Sequence, residues 1–234
     1  MKHPVDDPLV LMEALKCVRL IEASYEQPLR PEILVRDGTL FVVIKGTDCF
    51  RDFLTDVSVN LCTFEGERYR AHRGFVVDYL LARGPVLDAV ATAYTRVVVT
   101  GHSLGGAVAT LLAVAVREHH PALPLSVYTF GSPKVCARPL AKHHNRIVAE
   151  SFRFVNDRDL VPRAPAWGFT HVDGLVHLLQ SGKRASAPRR WWAKLKEWCT
   201  TRFTGIGEHY IIHYRDALEA RLAYLAGAPP FHTS

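Results

Sequence analysis

The chain has 234 residues, of which 48% are hydrophobic and 22% are charged. These values are close to those of an average soluble protein, and they exclude a disordered chain, a collagen and a long coiled coil. The length fits one large domain or two small ones, and because no linker is visible we expect a single domain over residues 1–234.

The formal net charge of +6 comes from 29 Lys and Arg residues against 23 Asp and Glu residues. Residues 183–202 carry all of the excess, because they hold seven bases and one acid. The rest of the chain holds 22 residues of each sign. No nucleic-acid partner is therefore expected, since binding of that kind needs a basic patch on the folded domain.

The cysteines and the N-terminus carry little functional information. Five cysteines are scattered without a C-x-x-C pair, so neither a zinc site nor a redox motif is predicted. No signal peptide is recognisable, and no apolar run reaches the ~18 residues that a membrane-spanning helix needs. A cytoplasmic location is favoured, and a secreted mature form stays open.

The first half of the chain begins with an amphipathic pattern that predicts a helix over residues 7–24. Short strands follow over 33–35 and 40–44, and then a helix over 48–61 with one apolar face. Two helical pieces are predicted over 74–82 and 85–93, separated by Gly84 and Pro85.

The second half continues with a strand over 96–100, a buried helix over 104–116, a strand over 125–130, a helix or irregular excursion over 139–146 and a strand over 151–155. A late hairpin through 172 and 175–179 and helices over 189–203 and 208–225 complete the chain. This alternation predicts an α/β fold with a mostly parallel central sheet.

A G-x-S-x-G motif, Gly101-His102-Ser103-Leu104-Gly105, lies between a predicted strand and the buried helix. A sharp turn from strand to helix lifts the serine hydroxyl clear of the sheet, and glycines are needed where strand and helix pass closely. The context favours Ser103 as a nucleophile over the alternative, a glycine-rich turn without a catalytic role.

A serine nucleophile needs a carboxylate and a histidine, in the chain order Ser, Asp or Glu, His in this kind of fold. Asp159 follows a predicted strand and precedes Leu160-Val161-Pro162, whose proline stiffens the loop. Asp157 is the alternative acid, or a brace for the same turn. We favour Asp159.

The candidate bases are His209, at the start of the last helix, and His213, one turn later. We favour His209, because it follows the flexible Gly205-Ile206-Gly207. A zinc site is not expected from this pair, since Tyr210 stands where H-E-x-x-H requires glutamate. The other histidines are predicted to be structural or are out of order for a base: His72, His102, His171 and His177.

Six short motifs occur in one order along the chain. They are Lys45-Gly46-Thr47, His72-Arg73-Gly74-Phe75, the glycine-rich elbow through Gly106, Phe130-Gly131-Ser132-Pro133, Asp159-Leu160-Val161-Pro162, and His209 with Tyr214 and Leu218. Together they resemble the class 3 lipases, which are α/β-hydrolases with helices on both faces of a mostly parallel sheet. Lys45 departs from the arginine that this family more often has.

The resemblance implies a serine carboxylesterase that forms an acyl-enzyme without a metal or an organic cofactor. Ser103, Asp159 and His209 would be its catalytic residues, and the backbone N–H groups of Thr47 and Leu104 would form the oxyanion hole. The expected substrate is a lipid or a small ester. A triacylglycerol lipase is favoured over a phospholipase A1, a phenolic or polyester esterase, and a non-catalytic lipid adaptor.

The resemblance also implies a lid over residues 48–61, for which permanent packing on the sheet is the alternative. Residues 189–203 place Trp191, Trp192 and Trp198 on one face of a basic helix. We favour docking of this face on the domain, and the alternative is a peripheral contact with a lipid surface. The oligomeric state is not predicted.

Overall fold

A computed structural model describes residues 3–25, 31–46, 60–66, 68–91, 95–156, 159–165, 167–181 and 209–227. The helices are α1 (Pro8–Ser24), α2 (Arg73–Val90), α3 (Leu104–His119), α4 (Arg138–Ile147) and α5 (Ile211–Leu225). The strands are β1 (Glu32–Arg36), β2 (Thr39–Ile44), β3 (Leu61–Phe64), β4 (Tyr69–His72), β5 (Arg96–His102), β6 (Leu125–Phe130), β7 (Glu150–Asn156) and β8 (Leu175–Leu178).

Six of these strands form one sheet in the order β1-β2-β5-β6-β7-β8, and β3 and β4 form a separate antiparallel pair. Within the large sheet, β1 is antiparallel to β2 and the other neighbours are parallel. The prediction of a mostly parallel α/β sheet is confirmed. Parallel strands end at the same edge, so the loops after β2, β5, β6 and β7 lie close together.

The strands alternate their side chains between two apolar cores, one on each face of the sheet. Leu40 and Val42 of β2 belong to the core that α2 and α3 cover. Phe41 and Val43 point the other way, into the core of α1 and α5. Helices therefore cover both faces, as predicted. In the part of the chain that the structure describes, no helix is long and apolar enough to cross a membrane.

Three predictions about local structure are wrong. The pieces over 74–82 and 85–93 form one helix, α2, which contains Pro85. The proline removes one hydrogen bond, but Val86 and Val90 remain buried beyond it and hold the helix against the core. Strand β8 adds to the large sheet parallel to β7, and within the described residues it is not part of a hairpin. Leu61 begins β3, so the helix predicted over 48–61 does not extend to that residue.

Candidate active site

The turn between β5 and α3 holds Ser103 in an unusual backbone conformation. Its φ is 57° and its ψ is −126°, a region that costs a residue with a side chain about 1–3 kcal/mol. The N–H of Ser103 donates to the carbonyl oxygen of Phe130 at the end of β6, over 2.9 Å. The two parallel strands thus fix the serine at the edge where both of them end.

Glycine is required on both sides of this serine. A Cβ atom on Gly105 would lie 2.1 Å from the carbonyl oxygen of Ile44, and one on Gly101 would lie 2.3 Å from the carbonyl oxygen of Gly105. Neither backbone oxygen can move without disturbing the sheet or the helix. The G-x-S-x-G pattern therefore has a steric cause here, which is the close passage of α3 over the ends of β2 and β5.

The predicted acid and base are in contact with each other. Asp159 and His209 are buried, with 1% and 7% of their surface exposed, and the Nδ1 atom of His209 lies 2.8 Å from the Oδ2 atom of Asp159. The N–H of Val161 donates to the other carboxylate oxygen over 2.9 Å. His213 lies within α5, and Asp157 lies outside the described residues.

A buried tyrosine supports the same carboxylate. The hydroxyl of Tyr214 donates to Oδ2 of Asp159 over 2.5 Å and accepts from the N–H of Asn156 over 3.2 Å. Burial raises the pKa of Tyr214 well above its usual value, and the adjacent Asp159 raises it further. The hydroxyl therefore stays protonated, and the carboxylate receives three hydrogen bonds.

His102, next to the serine, contacts the backbone of His209. Its Nε2 atom lies 2.6 Å from the carbonyl oxygen of His209, and its Nδ1 atom lies 2.9 Å from the hydroxyl of Tyr25. Burial lowers the pKa of His102 well below its usual value, and the neighbouring His209 lowers it further. A neutral ring donates from Nε2 and accepts at Nδ1, which connects the serine turn to the segment that carries His209.

Gly131 joins these groups to β6. It follows Phe130, has a φ of +60°, and approaches the acid and the base so closely that a Cβ atom would lie 2.8 Å from both Asp159 Oδ2 and His209 Cε1. Phe130 is the residue whose carbonyl oxygen holds the N–H of Ser103. The serine and the Asp–His pair therefore lie at one edge of the sheet.

Among the described residues, the buried Oγ of Ser103 has no hydrogen-bond partner. Hydrogen bonds between a catalytic serine and its base often become short only in the substrate complex.

One of the two predicted oxyanion donors is described. Leu104 is the first residue of α3, and the N–H of a first helical residue has no acceptor within its own helix. Gly46 lies against the serine, since a Cβ atom on it would be 3.1 Å from the Cβ atom of Ser103. Thr47, the other predicted donor, lies outside the described residues, as do residues 48–59 of the predicted lid and the basic segment 189–203.

The sequence reasoning missed the contacts of Tyr214 and His102. Tyr214 belongs to the quoted terminal motif, five positions after His209, but the motif alone assigned it no partner. His102 is out of order as a base, and it instead contacts the backbone of His209. His72, also out of order, is buried against the rings of Phe75 and Phe169.

Comparisons with known proteins agree with this architecture. Residues 41–169, more than half of the chain, match the family Lipase (class 3). A lipase from Rhizopus niveus is 33% identical over 158 residues, which cover 63% of this chain and 40% of the relative. The secreted mono- and diacylglycerol lipase 1 of Fusarium solani is 36% identical over 108 residues, covering 43% of this chain and 32% of the relative.

Among solved structures, a triacylglycerol lipase whose catalytic centre is formed by a serine protease triad has a TM-score of 0.55 and 30% identity. The likeness covers 61% of this chain and 58% of that one. This chain thus spans 32–58% of the length of the proteins compared. The region that matches the family contains the β5–Ser103–α3 turn, the loop of Asp159 and the strands β5, β6 and β7 that join them. The chain belongs to the class 3 lipase family.

Proposed function

We propose that this protein is a serine carboxylesterase of the lipase type. The observation that carries the proposal is the buried hydrogen bond between His209 and Asp159 beside the strained turn of Ser103. A serine hydroxyl is a weak nucleophile until a neighbouring base takes its proton, and a carboxylate holds that base in the required tautomer. We also propose that residues 1–234 act as a single domain.

In the proposed reaction, Oγ of Ser103 attacks the ester carbonyl carbon while Nε2 of His209 takes the hydroxyl proton. Asp159 accepts from Nδ1 and stabilises the imidazolium that forms. The alcohol leaves with the proton from His209, and water then hydrolyses the acyl-enzyme by the same steps. The N–H groups of Leu104 and Thr47 would bind the oxyanion, and loss of one such donor typically slows turnover ~10²–10³-fold.

The proposed substrate is a triacylglycerol or a related lipid ester. Support comes from the relatives, of which one is named for mono- and diacylglycerols and another for triacylglycerols. Hydrolysis rates across acyl lengths, with emulsified triolein and phospholipid vesicles included, distinguish this substrate from its alternatives. Faster turnover of phospholipid would indicate a phospholipase A1, and activity confined to soluble esters would indicate a small-ester esterase.

Replacement of the nucleophile tests the proposal directly. We expect Ser103→Ala to abolish hydrolysis of p-nitrophenyl butyrate, because alanine has no hydroxyl to attack the ester carbonyl carbon. Ser132→Ala is the matched control, since Ser132 is also buried and lies near the same turn. A Ser103→Ala variant as fast as the parent would disprove a serine esterase and leave a non-catalytic lipid adaptor as the better interpretation.

Two further expectations concern the surroundings of the protein. A peripheral lipid contact through residues 189–203 predicts that Trp191→Ala with Trp198→Ala weakens vesicle binding and spares soluble esters. Equal losses of vesicle binding and of soluble-ester hydrolysis would mean that these tryptophans pack on the domain.

Cell fractionation distinguishes the cytoplasmic location that the sequence favours from secretion. The Fusarium solani relative is named as a secreted protein.

A further inference from the structure

A small buried cavity lies between strand β7 and helix α3. Side chains alternate along β7, so that Phe152 and Phe154 face the core of α1 and α5 while Arg153 points to the opposite face of the sheet. There Arg153 lines the cavity together with Thr110 of α3 and with the segments that follow β6 and precede β8. The space open to the centre of a water molecule is about 10 Å³, which is room for one water or one ion of similar size.

Arg153 is a buried cation without a protein acceptor in the part of the chain that the structure describes. The residue is 9% exposed, its buried Nε atom has no hydrogen-bond partner there, and none of the salt bridges within the described ranges includes it. Burial lowers the pKa of Arg153 to about 10, against smaller opposing effects of Tyr214 and Asp173, so the side chain keeps its proton at neutral pH. Because a buried charge without a partner strongly destabilises a folded protein, we expect a group of opposite charge beside Nε.

No carboxylate of the described residues supplies that charge. None of the residues that line the cavity is Asp or Glu. Cys136, which does line it, stays a neutral thiol, because burial raises the pKa of that group to about 12. Asp173 is exposed and forms no salt bridge with Arg153, and the carboxylate of Asp159 already accepts the three hydrogen bonds described above.

The electrostatic potential around the cavity is positive. The pKa of His171, another lining residue, is lowered to about 3, first by burial and then by the charges of Arg153 and Lys134. The neutral ring donates from Nε2 to the carbonyl oxygen of Pro162 over 2.6 Å and brings no charge of its own. Burial also lowers the pKa of Lys134, as is expected of a cation next to other cations in a poorly solvated region.

Two hydroxyl groups in the wall can turn toward an ion. Oγ1 of Thr170 reaches the carbonyl oxygen of His171 only over 3.5 Å, and Oγ of Ser132 reaches that of Pro133 over 3.2 Å. Both distances are long for a hydroxyl donor, so either group can rotate and donate to an ion beside Arg153 instead.

We propose that this cavity, the Arg153 cavity, binds a single halide ion, with chloride as the common occupant. The ion accepts hydrogen bonds from Nε of Arg153 and from the hydroxyls of Ser132 and Thr170. Phosphate, sulfate and carboxylates are polyatomic and exceed the space, and a water molecule fits but supplies no charge to offset the guanidinium. The bound ion links β7 to the segment after β6, where Ser132 directly follows Gly131.

Thermal unfolding without substrate tests the site, so the result does not depend on the proposed esterase. The unfolding temperature is measured in sodium gluconate and in sodium chloride at the same ionic strength, so that charge screening is equal. We expect the unfolding temperature to be about 2–4 °C higher in chloride and to rise with the logarithm of the chloride concentration, because the ion binds the folded chain.

Replacement of the cation should remove this dependence. In Arg153→Met a flexible apolar side chain takes the place of the guanidinium, and we expect the same unfolding temperature in gluconate and in chloride. In gluconate the variant should equal or exceed the parent in stability, because methionine needs no counter-ion. Thr170→Val removes one hydroxyl donor with little change of shape, and it should weaken chloride binding about fivefold.

Arg221→Met is the matched control for a buried arginine. Arg221 is 4% exposed, but its guanidinium donates to the carbonyl oxygen of Val5 over 2.9 Å and to the carboxylate of Asp6. This variant should be less stable than the parent in both salts and should keep the full difference between chloride and gluconate.

A crystal soaked in sodium bromide locates the ion. We expect an anomalous difference peak within hydrogen-bonding reach of Nε of Arg153, and no such peak in Thr170→Val crystals soaked at a bromide concentration that only the parent binds. Equal unfolding temperatures of the parent in chloride and gluconate would overturn the proposal, and so would a chloride effect that persists in Arg153→Met. Density without anomalous signal would assign the cavity to water, and a bromide peak without any effect on unfolding would show an adventitious ion only; either result would also overturn the proposal.

Discussion

Removal of the Tyr214 hydroxyl tests how the buried Asp159 is held. In Tyr214→Phe the ring remains in its core position, but Asp159 loses the 2.5 Å hydrogen bond from the hydroxyl. Hydrogen bonds to charged groups contribute about 1.5–3 kcal/mol. We therefore expect the free energy of unfolding to fall by about 1.5–3 kcal/mol.

The same substitution should also slow the reaction. With one donor removed, the carboxylate of Asp159 is less firmly oriented toward Nδ1 of His209. The kcat/KM for p-nitrophenyl butyrate should therefore fall about tenfold, because a small misplacement of a catalytic group slows the reaction.

The assay is hydrolysis of p-nitrophenyl butyrate from acid to neutral pH, together with urea unfolding. Tyr224→Phe is the matched control, since Tyr224 lies on the same helix and is half exposed. An unchanged kcat/KM together with unchanged stability would refute the reasoning that this hydroxyl supports the carboxylate.

Three further predictions concern Asp159, Gly131 and His144. Asp159→Asn should lower kcat by about 10³–10⁴-fold, because an amide does not hold His209 in the required tautomer. A kcat within tenfold of the parental value would contradict the proposed role of Asp159. Gly131→Ala should inactivate the enzyme, because the new Cβ atom would lie 2.8 Å from Asp159 Oδ2 and from His209 Cε1. Gly227→Ala is the control, since Gly227 also has a positive φ but a Cβ atom there would have nothing within 4 Å. Equal losses of esterase activity in the two variants would show that only backbone strain matters. Burial lowers the pKa of His144 to about 4. The unfolded chain therefore binds a proton there first, and stability present above the unfolded pKa is lost as the pH falls, by about 2 kcal/mol at pH 5. Thermal unfolding of His144→Gln should show a flatter decline below neutral pH.

Sequence patterns predict the local structure best where a single short segment determines it. The turn around Ser103 could be predicted because strand, glycines and helix are consecutive in the sequence, although the contact of Gly105 with Ile44 could not. The order of the strands in the sheet could be predicted only as a class, since pairing depends on contacts between distant segments. Strand β8 illustrates the limit, because its four residues, Leu175–Leu178, do not by themselves reveal whether they join a hairpin or extend the existing sheet.

By itself, the sequence determined the family, the mostly parallel α/β class and the candidate residues Ser103, Asp159 and His209. These follow from short motifs and their order along the chain. Only the tertiary structure decided what surrounds those residues: the tyrosine on the carboxylate, the neutral His102 on the backbone of His209, and the continuity of α2 through its proline. The physical reason is that each of these depends on burial and on contacts between segments far apart in the chain, and a linear pattern contains neither.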